Sequence, residues 1–160
     1  MTIALDATFS SGSALTGVGV YSRELLFGLC QAHSTERFLF CYRAHRLWKS
    51  FRERLPANAG RAWLRGDGFW PHSAALFHGL NQRVDHVRAP RIVSTFHDLF
   101  VLTGDYSTAD FRVRFTAQAR QAAERSVLII AVSEFTADQV VNAMGVERSR
   151  VRVVRERQDW

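Results

Sequence analysis

The sequence predicts an α/β protein with a doubly wound, mostly parallel sheet of the Rossmann-like kind, and three observations predict it. Short apolar runs of strand length alternate with amphipathic stretches of helical period along the chain. The run Arg37 to Arg43, "RFLFCYR", is apolar on both faces, as a strand covered by helices on each side must be. Glycines, histidines and a capping serine collect where the runs end, at the positions where a parallel sheet presents its ligand edge.

The first element is "TIALDA", residues 2–7, a short apolar strand, and "GVYSRELLFGLCQAH" is a helix. Val18, Tyr21, Leu25 and Leu29 recur at helical spacing and are expected on its buried side, with Arg23 and Gln31 outward. "RFLFCYR" is the second strand. "AHRLWKSFRERL", residues 44–55, reads as a basic amphipathic helix with Leu47, Trp48, Phe51 and Leu55 on one side and Arg46, Lys49, Arg52 and Arg54 around the other. Pro56 ends it, because the residue before a proline is pushed out of the helical region. Between residues 57 and 72, glycines and charges point to loops around a short strand, "RAWL".

"AALFHG" and "RIVSTFHD" are the next strands. A helix from about Ser107 to Arg125 is expected to bury Phe111, Phe115, Ala119 and Ala122. "VLIIAV", Val127 to Val132, is the most strand-like run. Ser133 then supplies the N-cap of a helix ending near Met144, with Gly145 for the left-handed turn that closes it. "VRVV" is the last strand.

A chain of 160 residues, 47% of them apolar, encloses one core and leaves no room for a second full domain. It contains no apolar run of about 18 residues that could span a membrane as a helix. "MTIALDATFSSG" lacks the basic start and long apolar segment of a secretory signal, which implies the cytoplasm. Cys30 and Cys41 lie inside apolar elements and fit small buried hydrophobes better than a disulfide. The net charge of +6 is carried almost wholly by arginine, with Lys49 the one lysine. Such a surface favours nucleotide phosphates or anionic headgroups. Nucleic acid is not expected, because the arginines are scattered and no recognition motif accompanies them.

The residues immediately after each strand provide a functional test. Gly17-Val18-Gly19 comes after the first, at a helix start; His78-Gly79, His97-Asp98 and Ser133-Glu134 come after later ones. These groups are expected to share one rim of the sheet. Gly17 and Gly19 lack side chains, so backbone N–H groups at a helix N-terminus can approach a phosphate. A dinucleotide fingerprint would need a third glycine where Ser22 stands, a tighter turn than Ala7 to Thr16, and an acid where Tyr42 and Arg43 stand. NAD is therefore disfavoured, and an NADP-dependent reductase using Arg43 is the remaining cofactor alternative. Each candidate also has a plainer structural role. His97 and His78 suit strand ends, Asp98 suits an N-cap or a turn for "DLFVLTG", and Ser133 caps a helix whatever else it does. A zinc site from His78, His97 and Asp98 lacks local ligand spacing, and no metal is expected.

Taken together, "IALDAT", "TGVGVYSRELL", "FHGLNQ", "STFHDLF", "LIIAVSEFTADQVV" and "RVRVV" resemble, in order, the N-terminal domain of retaining family four glycosyltransferases of the GT-B fold. That group includes bacterial mannosyl- and glucosyltransferases. The resemblance implies two Rossmann-like domains across a cleft, the N-terminal one holding the acceptor and the C-terminal one a nucleotide-sugar. It places Gly17 and Gly19 at the donor phosphate, His97 near the transferred sugar with Asp98 beside it, and His78, Asn81 and Ser133 on the acceptor side. The nucleotide-sugar is a co-substrate, so no separate cofactor is implied. The acceptor is a sugar or a lipid-linked one.

Family members also carry a second domain with two glutamates spaced by seven residues, which this chain does not supply. "RERQDW" departs from the family pattern after "RVRVV". Residues 1–154 then read as the domain and 155–160 as a foreign tail of a truncated or frameshifted product, inactive unless a second polypeptide supplies the donor domain. The alternative is a non-catalytic nucleotide-binding or subunit module. The basic helix at 44–55 offers a peripheral contact with the inner membrane face, although with four large apolar residues a core-facing helix is the favoured reading.

Overall fold

The computed structural model describes residues 1–12, 14–66, 70, 73–84, 87–104 and 107–155. The residues form two compact units, Met1–Leu80 with His86–Arg91, and Asn81–Asp85 with Ile92–Trp160.

In the first unit, strands β1 (Thr2–Asp6), β2 (Arg37–Tyr42), β3 (Ala59–Trp63) and β4 (Leu76–Gly79) alternate with helices α1 (Gly17–Ala32) and α2 (Ala44–Ser50). The strands lie in the order β3-β2-β1-β4, and every pairing is parallel. Chain progress reverses direction across the sheet at β1, so its C-terminal end is a topological switch point. The core gathers Leu5, Leu26, Cys30, Phe38, Phe40 and Tyr42, with Leu25, Leu29, Leu47 and Leu55 packed against it. Both cysteines are buried thiols.

Three sequence expectations fail here. The fully buried stripe of α1 is Gly19, Ser22, Leu26 and Cys30, one position on from Val18, Tyr21, Leu25 and Leu29, which are only partly buried. The helix is apolar nearly all round, so period alone does not choose its face; the small residues mark the line of closest approach to the sheet. Helix α2 stops at Ser50 rather than Leu55. Leu47 and Leu55 reach the core, whereas Trp48 and Phe51 stand outside it, 80% and 61% exposed. Strand β3 begins two residues before "RAWL", where Gly60 takes a place across from Leu39 of β2.

In the second unit, β5 (Ile92–Phe96), β6 (Leu128–Ala131) and β7 (Val151–Val153) lie in the order β5-β6-β7, again parallel. Helices α3 (Phe100–Thr103) and α4 (Ala109–Arg125) join β5 to β6, and α5 (Glu134–Met144) joins β6 to β7. Helix α4 buries Phe115, Ala119, Ala122 and Ala123, while Phe111 remains 46% exposed. Phe111 sits in the first turn, short of the strands that cover the rest of that face. For "DLFVLTG" the sequence leaves Asp98 open as an N-cap or a turn former; the short helix α3 forms with Leu99 in the cap position, and the Asp98 carboxylate accepts the N–H of Phe100. The end of α5 is as expected, with Gly145 left-handed at φ 66° and its N–H donated to the carbonyl of Val141. Parallel pairings with helical crossovers from β1 to β2, β2 to β3, β5 to β6 and β6 to β7 make this a Rossmann-like α/β fold.

Candidate functional site

The first unit presents its polar groups around the end of β1. Asp6 closes that strand inside the protein, and its carboxylate accepts a 3.0 Å hydrogen bond from the N–H of Thr8. The exit is then stitched to β2: Ala7 N–H donates to the carbonyl of Cys41 at 2.8 Å, and Arg43 N–H donates to Thr8 Oγ1 at 3.2 Å. The burial that this produces raises the Cys41 thiol far above its ordinary range, with the nearby Asp6 charge adding to it, and pushes the Tyr42 phenol up to about 12.

Gly17 and Gly19 have different reasons to be glycine. A Cβ on Gly19 would lie 2.8 Å from the carbonyl oxygen of Phe9, so the helix start and the loop leaving β1 touch there; a Cβ on Gly17 would meet nothing. Thr16 caps α1, its hydroxyl accepting the Gly19 N–H at 3.4 Å. The exposed first turn at Gly17 carries backbone donors that no helical carbonyl reaches. His78 pairs level with Leu5 near the end of β4 and is buried. Desolvation pushes its imidazole down to about 4, so it is neutral near pH 7. Ser22, standing where a dinucleotide fingerprint would have its third glycine, is buried and donates to the carbonyl of Val18 at 2.7 Å.

The second unit brings His97, Asp98 and Ser133 to one edge. Phe96 pairs level with Ala131, so both strands end together. Ser133 Oγ accepts the N–H of Thr136 at 3.1 Å, which is its capping bond. Thr136 in turn donates its hydroxyl to the carbonyl of His97 at 3.1 Å and lies 3.0 Å from Ser133 Oγ. The first turn of α5 thereby fixes the backbone of His97 and leaves its side chain partly open to solvent. Asp98 accepts the N–H of Phe100 at 3.3 Å and starts the turn into α3. An apolar groove of about 390 Å3 opens beyond it, lined by Leu99, Leu102, Phe135 and Gln139 among others. Asn81 is buried, and its side chain accepts the N–H of Arg83 at 2.8 Å, which shapes the exit from β4.

Sequence reading missed Asp6 and Thr8 as parts of this edge. The signal was present, because an acid at the last position of an otherwise apolar strand, "IALD", needs a local partner. Among the described residues, no three His, Cys, Asp or Glu side chains converge as metal ligands, and no helix is long and apolar enough to cross a membrane.

Comparison with known proteins agrees with this fold. The chain is 27% identical, over 86% of its length, to the O-antigen chain mannosyltransferase B of Escherichia coli, and spans 42% of that protein. Among solved structures it resembles the wall teichoic acid polymerase TagF, with a TM-score of 0.59 at 10% identity for the H548A form and 0.57 at 12% identity for the H444N form. Each likeness covers 96% of this chain and 38% of TagF, and shows the fold alone. The family model for Glycosyltransferase Family 4 matches residues 32–156, well over half of the chain, and the chain belongs to that family.

Proposed function

We propose that this chain is the acceptor-side half of a retaining glycosyltransferase that moves a hexosyl group from a nucleotide-activated donor to a sugar or lipid-linked acceptor. The observation that carries the reading is the family match over residues 32–156. The 42% coverage of the mannosyltransferase relative supports a partner domain beyond this half, supplied either by a longer chain or in trans. In this reading the first turn of α1 at Gly17 and Gly19 receives donor phosphate, with Gly17 exposed and Gly19 buried behind it. His97 hydrogen-bonds the transferred sugar from a backbone held by Thr136, Asp98 sets the loop beside it, and His78, Asn81 and Ser133 shape the acceptor side. The donor is a co-substrate, and neither a cofactor nor a metal takes part. The cytoplasm is its expected compartment, and nucleic acid is not among its partners. Transfer requires both substrates to be fixed together, because proximity supplies much of the rate. In this reading the isolated half is inactive; of residues 155–160, read from the sequence as a foreign tail, 156–160 lie outside the described residues.

Exposure of Trp48 and Phe51 favours the peripheral membrane reading of residues 44–55 over the core-facing one. Interfacial aromatics beside cations bind anionic bilayers. Flotation with phosphatidylglycerol vesicles tests it: wild type floats, W48S/F51S stays at the bottom, and a wild type that does not float refutes the contact.

The main reading is tested by reading the coding DNA past Val154 in all frames and expressing the chain with any glutamate-bearing Rossmann domain found there. Transfer of a labelled hexose, with a nucleotide-activated mannose as the first donor in view of the relative, is expected from the complete pair and lost on His97→Ala. A complete pair that binds donor yet transfers nothing would establish the rival, a non-catalytic subunit module.

A further inference from the structure

The first unit holds a polar cavity that the proposed transfer does not use. Its volume is about 490 Å3, and Gly12, Ala14, Arg46, Lys49, Arg52 and Glu53 line it. Three cations thus face one carboxylate. Among the described residues no acidic side chain forms an ion pair with Arg46, Lys49 or Arg52. Three cations around a single carboxylate keep a net positive charge, and an anion between them would offset their mutual repulsion.

The cavity is also built rather than incidental. Arg46 Nη1 donates to the carbonyl of Ser11 at 2.9 Å, which pins the guanidinium against the loop that leaves β1. Gly12 bends there with φ 129°, and a Cβ on it would stand 3.0 Å from the same nitrogen. The positive φ calls for glycine, and a side chain there would press on the guanidinium. The carbonyl uses one of five guanidinium donors and leaves the others to a ligand. Lys49 lies three residues on, on the same face of α2, and Arg52 comes three more along, just past its end. A planar fork flanked by two point charges is the donor set for a tetrahedral oxyanion carrying more than one negative charge.

We infer that this cavity binds a phosphate or diphosphate group, held by the Arg46 fork and neutralised by Lys49 and Arg52. The group comes either free, on a soluble phosphate ester, or on a lipid headgroup brought in beside Trp48 and Phe51. This inference does not rest on the glycosyltransferase reading, since binding to the chain requires no transfer.

The test is calorimetric titration of the full chain with inorganic pyrophosphate. Saturable binding is expected, weakened by added salt as paired charges are screened. The double variant K49Q/R52Q should weaken it by about tenfold or more, because charge-assisted hydrogen bonds each contribute roughly that factor. Lys49 and Arg52 are exposed and their side chains make no hydrogen bond, so the variant should melt as wild type does. Arg46→Lys keeps the charge and removes the fork, and should also weaken binding. Phosphatidylglycerol vesicles separate the two sources. Pyrophosphate that releases wild type from vesicles assigns a lipid-borne group, while pyrophosphate that binds without affecting vesicle association assigns a soluble one. Absence of saturable binding, or equal binding by K49Q/R52Q, overturns the inference.

Discussion

The strand ends of the first unit and those of the second treat polar groups differently. At β4, His78 is buried and held neutral, and the neighbouring end of β1 closes over Asp6 with backbone bonds to β2. At β5, His97 is only partly buried, and its carbonyl accepts a hydroxyl from α5. A histidine at a strand end is therefore not one kind of feature. Where water is excluded it becomes a neutral part of the packing; where burial is partial, as at His97, the ring keeps contact with solvent.

The largest expected effect sharpens that contrast through pH. As the pH drops below about 6.5, an unfolded chain protonates His78, while the folded chain refuses the proton until about pH 4. Stability should therefore fall as pH drops through that window, by about 3 kcal/mol in all, and level off below it. Chemical denaturation at several pH values, with His78→Asn as the comparison, checks this; equal pH profiles for variant and wild type would show that His78 is solvated after all.

Next in size is Gly19→Ala. Its Cβ meets a backbone oxygen that cannot rotate away, and a cost of about 2 kcal/mol is expected from overpacking. Ser133→Ala should cost about 1 kcal/mol by removing the cap of α5 and loosening the hold of Thr136 on His97. An unchanged melting temperature in Ser133→Ala would mean that the cap does not organise the second edge. The smallest effect has the opposite sign: Gly17→Ala enters open space within a helix and should stabilise by about 0.5 kcal/mol. If Gly17 and Gly19 responded alike, the close approach at Phe9 would not be the reason for the second glycine.

Much of the architecture was legible in the order of residues alone. The strands around Leu5, Phe40, Thr95 and Ile129 are local events, set by apolar runs of the right length. The caps at Ser133 and Gly145 are local too, because each acts within one helical turn. Failures came where distant chain decides. Period could not choose the buried stripe of α1, since apolar residues surround that helix and only the sheet it meets distinguishes Leu26 from Leu25. Trp48 and Phe51 looked like core because they are large and apolar; the helix that carries Trp48 ends at Ser50, and the core takes Leu47 and Leu55 instead.

The site divides in the same way. That Gly17, Gly19, His78, His97 and Ser133 sit at strand ends or helix starts was readable, because strand ends and caps are written in adjacent residues. That His78 is desolvated, that Asp6 turns inward, and that Arg46 crosses 35 positions to hold the carbonyl of Ser11 was not. Alternation of apolar and polar residues by itself determined the α/β class and the order of its elements. Solvation and long-range hydrogen bonds depend on which remote segments exclude water from a group, and those only the folded chain decides.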